Sequence, residues 1–526
     1  MSLLSIVTKA LNALDLDDEV NRLVIDRTVN VCRNRPHPWS TKHDYISWSG
    51  LTDRTYNARL LPAKPPNGQG IGTSWPPLQA TAALFARLPG TNQRLCPKST
   101  GLFPAFAQYL TDGFIRTMLH NDDDKEDRRR TTSNHEIDMS PLYGRTEAQT
   151  RALRAGTGGR LKSQVINGEE YSPFLFGADG NVKPEFVILD LPLGLKNVTP
   201  AGKATLFAVG GDRVNAVPQT AMMNTLFLRE HNRLTGQLAA KNQTWDDDRL
   251  FETARNIVIV MFIKIVVEEY INHINTTEFP LQADPKVAWR AKWNRPNWMT
   301  VEFSLLYRWH GLVMENVTWG DKAHPGNSLL LNNSLLIGSG LAQSFVNTSA
   351  NRTATLGLEN AASFMMFAET GAINQARINN VASYNDYRLA MGMEPARNFA
   401  AIVGSSDTPA EQARLSALAK RLEGLYGDVN NVEYYIGLFA ERVEKNGPLP
   451  ELVSSMVAMD AFSQALTNPL LSEHVWGNPA NKRLAFTEEG IKVIEDTRRL
   501  RDIVDRNAKG LGNAFVGMTR KEWKRS

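Results

Sequence analysis

Tyr307 and His310 stand three residues apart in an aromatic run that extends from Glu302 to His310. Positions three apart on a helix lie on one face, with their β-carbons about 5–6 Å apart. A metal bound by the His310 imidazole would therefore have the Tyr307 ring as a close neighbour. This arrangement suits a haem iron that oxidises a phenol to a radical, which then attacks a substrate. The same spacing also occurs in ordinary buried helices.

The composition is that of a large globular protein. The chain has 526 residues, of which 42% are hydrophobic and 22% charged, and this length permits a large buried core. Its formal net charge of +4 is too small to indicate a nucleic-acid partner. Two cysteines, Cys32 and Cys96, do not make a disulfide framework. The N-terminus has no basic stretch followed by an apolar run, so we predict a cytoplasmic protein.

Residues 1–42 are interpreted as a separate N-terminal segment. Apolar residues at helical spacing predict an amphipathic helix at its start: Leu3, Leu4, Val7, Leu11 and Leu14. This helix either docks on the protein's own core or makes shallow contact with a membrane surface. The scarcity of Lys and Arg on it favours docking. The most apolar internal stretch, Ile257–Ile263, is far shorter than the ~20 residues that a membrane span needs.

Helical periodicity dominates residues 43–526, and alternating strand patterns are scarce. The main helical patterns cover Gly101–Leu119, Thr220–Ala240, Asp247–His273, Met299–His310, Gln343–Ser349, Thr408–Tyr426, Val432–Lys445, Leu449–Leu466 and Thr487–Asn507. The chain shows no internal repeat and no clean break between two catalytic units. We therefore predict a mainly α fold in which residues 43–526 form one large catalytic domain.

Several segments, in the same order, resemble the animal-type haem peroxidases, the superfamily that includes the cyclooxygenases. The most recognisable is Leu228–Leu234, whose polar residues would otherwise indicate a salt-bridged helix surface. The other matching segments are His43–Trp48, Phe106–Thr111, His135–Gly144, Ile263–Tyr270, Tyr307–His310, Tyr384–Arg388 and Leu425–Val429. The chain lacks the cysteine-rich growth-factor-like module of animal cyclooxygenases, and it is similar to the bacterial branch of linoleate dioxygenases.

This resemblance implies a single large helical domain that binds haem b. His310 would be the proximal ligand of the iron, and its other ring nitrogen would need an orienting partner that the sequence does not identify. Trp309 and Arg213 would lie close to the haem. Ala216 replaces the glutamate that secreted members link to haem, so we expect no ester bond at this position.

The resemblance also implies the reaction. The Tyr307 radical would take a hydrogen atom from a polyunsaturated fatty acid such as linoleate. O2 would add to the carbon radical, and return of a hydrogen atom would give a hydroperoxide. Tyr270, Ile271 and Ile274 match positions that line the fatty-acid channel, although they also suit an ordinary core. Ser463 loosely resembles a serine of that channel.

Asp112 is the main departure from the family pattern. Gln108 matches the distal glutamine that assists peroxide chemistry, and counting from it Asp112 stands where the family has the distal histidine. An ionised carboxylate accepts a proton but is a poor donor, so we expect weak peroxidase activity. Burial beside haem would raise the pKa of Asp112 and allow partial substitution. His120, two helical turns later, is out of register with the family.

Calcium is not expected. Gly113 stands where calcium-binding members place an aspartate, and Asn134 replaces a threonine, although Asp138 and Ser140 match later ligand positions. Loss of a carboxylate weakens a site for a hard cation.

The residue that would bind the fatty-acid carboxylate is not identified. Arg22, Arg27 and Arg33 lie in the region where cyclooxygenases place it, but the spacing to His43 differs. Thr277 stands in place of the partner tyrosine.

Two other functions remain open from the sequence. One is a haem peroxidase that acts on small reductants, and the other is a haem-binding protein without turnover. The intact Tyr307 favours a fatty-acid dioxygenase, and Asp112 argues against a peroxidase. Trp309 and the apolar helices argue against a protein that only binds haem.

Overall fold

The computed structural model describes residues 17–30, 39–65, 74–117, 129–277 and 279–525. The amphipathic pattern between Leu3 and Leu14, as well as Arg33 and His120, lies outside these residues. The α-helices of the first half are α1 (Asp17–Asn30), α2 (Trp48–Thr52), α3 (Leu78–Ala82), α4 (Leu102–Asp112), α5 (Ser140–Tyr143), α6 (Glu147–Leu153), α7 (Pro200–Lys203), α8 (Pro218–Lys241), α9 (Asp247–Ile265) and α10 (Asn272–Ile274). Those of the second half are α11 (Lys286–Trp289), α12 (Val301–Leu306), α13 (Ser334–Ala350), α14 (Met366–Ile378), α15 (Tyr384–Ala390), α16 (Phe399–Val403), α17 (Pro409–Tyr426), α18 (Tyr434–Ala440), α19 (Glu451–Leu466), α20 (Pro479–Asp496) and α21 (Leu500–Asn507).

Strands are short and pair only in twos within the described residues. They are β1 (Trp39–Ser40), β2 (Ala58–Arg59), β3 (Leu95–Thr100), β4 (Gln164–Ile166), β5 (Glu169–Tyr171), β6 (Asn316–Trp319), β7 (Lys322–Pro325) and β8 (Arg352–Ala354). The antiparallel pairs are β1–β2, β3–β8, β4–β5 and β6–β7. The mainly α prediction is therefore confirmed. The division of the chain at residue 42 stays a prediction.

The core is assembled around two long buried helices. Helix α8 packs against α4, α9, α13 and α21, and α19 packs against α1 and α12. A six-residue π-helical segment, Val266–Ile271, joins α9 to α10 and also packs against α19. This segment lies inside the predicted helix Asp247–His273, and such wide turns are frequent at functional sites. None of the described helices has the length and apolar character required to cross a bilayer.

Several predicted helices are shorter than their sequence patterns. The Gly101–Leu119 pattern yields α4, which ends at Asp112. The Val432–Lys445 pattern yields only α18, because Glu441 takes an extended conformation and the chain turns back through a bridge between Val443 and Pro450. The Thr487–Asn507 pattern is divided between α20 and α21. The division falls after Asp496, where the C-cap Thr497 is extended, with φ −99° and ψ 116°. A separate kink at Thr487, whose φ is 59°, marks the start of the pattern inside α20 and is costly for a β-branched residue.

The segment Leu228–Leu234 is buried inside α8 and does not form a helix surface. Glu230 accepts hydrogen bonds from Arg233, Arg506 and Asn507. The His231 Nε2 lies 2.9 Å from the Gly159 carbonyl, and its Nδ1 lies 3.0 Å from the Tyr143 hydroxyl. Because a carbonyl only accepts, Nε2 carries the proton and Tyr143 donates to Nδ1. These bonds tie α8 to segments distant in sequence, so the segment stabilises the fold.

Acid should destabilise the protein through His231. Burial lowers the pKa of His231 to about 4, and the neighbouring arginines lower it further. The unfolded histidine titrates near 6.5, so the stabilising neutral form is complete above pH 6.5 and is lost as pH falls through 4. We expect this group to remove up to about 3 kcal/mol of unfolding free energy over that range.

The measurement is denaturant unfolding of the parent and of His231→Gln between pH 7 and pH 4. The glutamine amide can replace both hydrogen bonds but does not titrate, so the variant should show a shallower loss of stability. Tyr143→Phe removes one hydrogen bond and keeps the imidazole, and it should therefore retain the parent's slope. Equal slopes in the parent and in His231→Gln would show that His231 is not the responsible group.

Candidate active site

Helix α12 ends at Leu306, three residues before Trp309. Its N-terminus is capped by Thr300, and Tyr307 is the C-cap residue, with φ −89° and ψ 12°. Arg308 Nε donates a 3.1 Å hydrogen bond back to the Ser304 carbonyl, which gives this helix-end carbonyl a partner. The prediction of a continuous helix over Met299–His310 is wrong for this reason.

His310 begins a separate 3₁₀ turn, His310–Leu312. Trp309, between the two helical pieces, has φ −87° and ψ 46°. Tyr307 and His310 therefore do not share one face of a helix. They are held in one short bend of the chain, whose conformation fixes the two side chains separately.

Tyr307 is buried in an aromatic cluster. Its ring centroid lies 4.7 Å from that of Phe303 and 4.7 Å from that of Trp309, with the Trp309 ring nearly parallel at 25°. Phe103, from α4, lies 5.6 Å from Trp309. The Tyr307 side chain is only 6% exposed. Burial raises the pKa of Tyr307 well above its usual range, so the phenol keeps its proton at every physiological pH.

Tyr270 brings the π-helical segment into the same cluster. Its ring lies 5.6 Å from Phe103 and 5.4 Å from Phe106. Burial raises the pKa of Tyr270, and the neighbouring Tyr307 hydroxyl raises it further. The contact falls short of full hydrogen-bond geometry, so Tyr270 Oη has no hydrogen-bond partner in the described part of the chain.

The other predicted channel residues are also buried. Ile271 closes the π-helical segment, Ile274 follows it in α10, and Ser463 lies on α19, which packs against that segment. The Ser463 hydroxyl donates a 3.2 Å hydrogen bond to the Asp460 carbonyl of its own helix. The four predicted residues thus lie on elements that pack together, and Ser463 already has a partner.

Asp460 is a buried acid that sequence reasoning missed. It lies on α19 with a fully buried side chain. Burial is the main cause of the raised pKa of Tyr307, and the charge of Asp460 adds to it. The charge of Asp460 also raises the pKa of Tyr434. The sequence does contain a signal for this site, because Asp460 is the single acidic residue between Leu452 and Leu466.

His310 has the environment of a metal ligand. Its side chain is 20% exposed, whereas Nδ1 is buried and lies 3.5 Å from Glu369 Oε2. Nδ1 makes no hydrogen bond to the described residues. A ring with one nitrogen beside a carboxylate and part of its surface open is suited to bind iron through the other nitrogen. These residues therefore fit a proximal haem ligand, and Glu369, on α14, is a neighbour that the sequence did not reveal.

Asp112 is the last residue of α4, one turn after the half-buried Gln108. Its Oδ2 accepts a 3.3 Å hydrogen bond from the Arg213 backbone N–H. Its Oδ1 lies 3.9 Å from the guanidinium of Arg116 and 3.9 Å from that of Arg213. A Cβ at Gly211 would lie 1.9 Å from Oδ2, so only glycine fits against this carboxylate.

Burial raises the pKa of Asp112 to about 7, although Arg116 and Arg213 oppose the shift. Asp212 contributes in the same direction as burial. Asp112 is therefore partly protonated near neutral pH, which allows it to donate a proton to some extent. The same carboxyl already contacts the loop at Gly211–Arg213, where it accepts a hydrogen bond from the Arg213 N–H.

Arg213 lies close to a second cation, Arg308, and both are half-buried. Its guanidinium pairs with Asp212 at 2.7 Å. Burial lowers the pKa of Arg308 to about 10, and the charge of Arg213 lowers it further. Two guanidinium groups in this position could bind the acidic side groups of a haem. The sequence pointed to Arg213 and gave no signal for Arg308.

The structure gives amide and ion-pair partners to the residues considered for calcium and for the substrate carboxylate. The Asn134 side-chain amide donates to Asp138 Oδ2 at 2.5 Å, and the Ser140 N–H donates to Asp138 Oδ1 at 2.8 Å. Arg22 pairs with Asp284 at 2.5 Å. The described residues contain no group of three or more His, Cys, Asp or Glu suited to a metal ion.

Comparison with known proteins gives the family. A family model described as animal haem peroxidase matches residues 104–515. The chain belongs to the animal haem peroxidase family. Among curated relatives, prostaglandin G/H synthase 1 of Rattus norvegicus is 30% identical over 473 residues, which are 88% of this chain and 73% of that protein. Prostaglandin G/H synthase 2 of Equus caballus is 30% identical over 488 residues, covering 90% of this chain and 74% of that protein.

Solved structures share the fold of this haem peroxidase chain. A fatty acid alpha-dioxygenase of Oryza sativa superposes with a TM-score of 0.70 at 15% identity, covering 97% of this chain and 94% of that one. Peroxidase A of Dictyostelium discoideum gives a TM-score of 0.67 at 17% identity, covering 92% and 99%. The single large helical domain predicted from the sequence is thus confirmed.

Asp112→Asn should change how stability depends on pH. The pKa of Asp112 is raised from 3.8 to about 7 on folding, so the folded state favours the protonated carboxyl. The contribution of Asp112 to the free energy of unfolding should therefore decline as pH rises from 4 to about 7, opposite in sign to the contribution of His231. Asparagine does not ionise, and the variant should gain about 2 kcal/mol relative to the parent between pH 5 and pH 8.

Thermal or denaturant unfolding across this pH range measures the difference. Asp190→Asn is a matched control, because Asp190 also pairs with Arg116 but has a lowered pKa. Its stabilising charge is lost as pH falls, so the difference between parent and Asp190→Asn should shrink towards acid pH. A constant difference between parent and Asp112→Asn would contradict the raised pKa.

Proposed function

We propose that the protein is a haem-dependent fatty-acid dioxygenase that converts a polyunsaturated, linoleate-like fatty acid and O2 to a hydroperoxide. The observation that supports this most directly is the buried Tyr307 phenol, stacked on Trp309 in the same bend as His310. Membership of the haem peroxidase family and the names of the relatives, prostaglandin synthases and fatty acid alpha-dioxygenases, agree with it.

His310 would hold haem b through the iron, with Trp309 beside it and Arg213 and Arg308 near its acidic groups. Bound haem supplies the oxidising equivalent that removes an electron from Tyr307. Because burial keeps the phenol protonated, the oxidant would have to take the Tyr307 proton together with the electron, which amounts to one hydrogen atom. The aromatic cluster excludes water from the resulting radical and fixes its position, which a hydrogen-atom transfer requires.

The Tyr307 radical then takes a hydrogen atom from an activated carbon of the fatty acid, which restores the phenol. O2 forms a C–O bond with the carbon radical, and the peroxyl radical takes the phenolic hydrogen atom back. The net change is addition of one O2 to one fatty acid, with Tyr307 returned to its radical form. Tyr270, Ile271, Ile274 and Ser463 belong to the buried region in which the acyl chain would lie.

The protein would work in the cytoplasm, with peripheral contact to a membrane that delivers the fatty acid. Three large, exposed side chains that lie close together in the sequence support such contact. Tyr45, Ile46 and Trp48 are 67%, 66% and 80% exposed. Aromatic side chains with an apolar body and a polar tip favour the interface between water and lipid.

Peroxidase activity on small reductants is the second candidate, and the fold shared with peroxidase A of Dictyostelium discoideum favours it. Asp112 stands against it, because its carboxyl faces the loop at Gly211 and accepts from the Arg213 N–H. Calcium has no part in the proposal.

Tyr307→Phe should abolish lipid oxygenation while haem still binds. Removing one hydroxyl eliminates the group that transfers the hydrogen atom, so O2 uptake with linoleate should fall by at least roughly 100-fold. The haem absorption spectrum should match that of the parent. Tyr171→Phe is the control, since Tyr171 is a buried tyrosine in β5 that stacks on Phe207, and it should retain activity.

O2 uptake by Tyr307→Phe at the parent's rate would contradict the radical mechanism. A parent protein that binds haem but consumes no O2 with any polyunsaturated fatty acid would favour a haem-binding protein without turnover.

Peroxide-dependent oxidation of a phenolic donor should be slow in the parent. A distal acid–base group contributes about 10²–10⁴-fold to such a step, and Asp112 is only partly available for it. We therefore expect turnover at least about 100-fold below that of a family member with a distal histidine. Steady-state assays with hydrogen peroxide measure it, and a rate comparable with that of a true peroxidase would support the second candidate.

A further inference from the structure

Glu369 is a buried carboxylate beside the proposed iron ligand. It lies on α14 with only 1% of its side chain exposed, and its Oε2 is 3.5 Å from His310 Nδ1. The same oxygen accepts a 2.7 Å hydrogen bond from the Tyr435 hydroxyl. Its Oε1 is buried without a hydrogen-bond partner among the described residues.

A carboxylate in this position is incompletely satisfied by the neighbours described. Burial of a charged group is costly unless hydrogen-bond donors surround it, and Tyr435 supplies a single proton, which it also directs towards the Arg308 carbonyl at 3.2 Å. His310 Nδ1, 3.5 Å from Oε2 and itself without a hydrogen-bond partner among the described residues, can supply a second donor. A 3.5 Å separation is about half an ångström longer than a good N–H···O bond, so a small rotation of either side chain completes it.

We propose that Glu369 is the positioning residue that accepts the Nδ1 proton of His310. The inference rests on the proposed function, since it requires His310 to bind haem iron through Nε2. Accepting from Nδ1 fixes the tautomer and the orientation of the ring. A carboxylate acceptor also increases the electron density on the imidazole, which strengthens its bond to iron and stabilises ferric over ferrous haem.

The competing explanation is that Glu369 serves only to join α14 to α18 through Tyr435. The two explanations differ in what Tyr435→Phe does. If Glu369 is structural, Glu369→Gln should change little, because the glutamine amide oxygen still accepts from the Tyr435 hydroxyl. Any change that it does cause should then be shared by Tyr435→Phe, which removes the donor of the same hydrogen bond. If Glu369 acts on His310, Tyr435→Phe frees the carboxylate to accept more strongly from Nδ1, and the two variants should shift in opposite directions.

The experiment measures two properties of the haem-loaded protein that do not depend on turnover. They are the iron–histidine stretching frequency of the ferrous form and the ferric–ferrous midpoint potential. Glu369→Gln should lower the frequency and move the potential to more positive values. Tyr435→Phe should move both the other way, to a higher frequency and a more negative potential. Glu369→Asp, which retains the charge at a greater distance, should fall between the parent and Glu369→Gln.

The outcomes separate this inference from the proposed function. If the parent shows the iron–histidine stretch and neither Glu369→Gln nor Glu369→Asp shifts it, the role of Glu369 is wrong and the haem proposal stands. If Tyr435→Phe shifts in the same direction and to the same extent as Glu369→Gln, Glu369 is structural. If the parent binds haem without any histidine stretch, His310 is not the ligand and the proposed function fails first.

Discussion

The end of α12 at Leu306 is the constraint on which the candidate site depends. A helix continued through this segment would point Tyr307 and His310 along one face, with Arg308 and Trp309 turned away. Instead Arg308 folds back on the Ser304 carbonyl, the chain bends at Trp309, and Trp309 stacks on Tyr307. The bend allows the phenol to sit among aromatic rings while His310 meets a carboxylate from α14.

Three carboxylates lie buried near residues of the proposed chemistry. Asp112, Asp460 and Glu369 are all essentially inaccessible to solvent, and each approaches a residue of the proposed chemistry. Burying such groups lowers stability unless they are well paired. Buried ionisable groups that contact candidate site residues are typical of functional sites. The rest of the core, built around α8 and α19, supplies the rigidity that holds them.

The sequence predicted the family, the mainly α class and most of the long helices, because sustained periodicity over many residues survives local exceptions. It also identified Tyr307 and His310, whose chemistry is rare enough to be noticed. Prediction from the sequence failed where the backbone conformation of a single residue interrupts a helix. The Arg308 contact that ends α12 cannot be read from a pattern of apolar residues, nor can the left-handed Thr487 that breaks α20.

The sequence also could not predict contacts between residues that lie far apart in the chain. Glu369 follows His310 by a long stretch of chain and sits in an ordinary helical pattern, so nothing connected the two before the fold did. Arg229 to Asn232 looked like a solvated surface, yet their partners come from β5, α21 and the loops near Gly159.

The glycine at position 211 limits which side chains position 112 can carry. A carboxylate at position 112 already touches the Gly211 backbone, and an imidazole is bulkier than a carboxylate. A histidine at position 112 would collide with this loop, and Arg116 and Arg213 would lose a counter-charge. A protein variant with an imidazole at this position therefore needs matching changes in the loop and in both arginines.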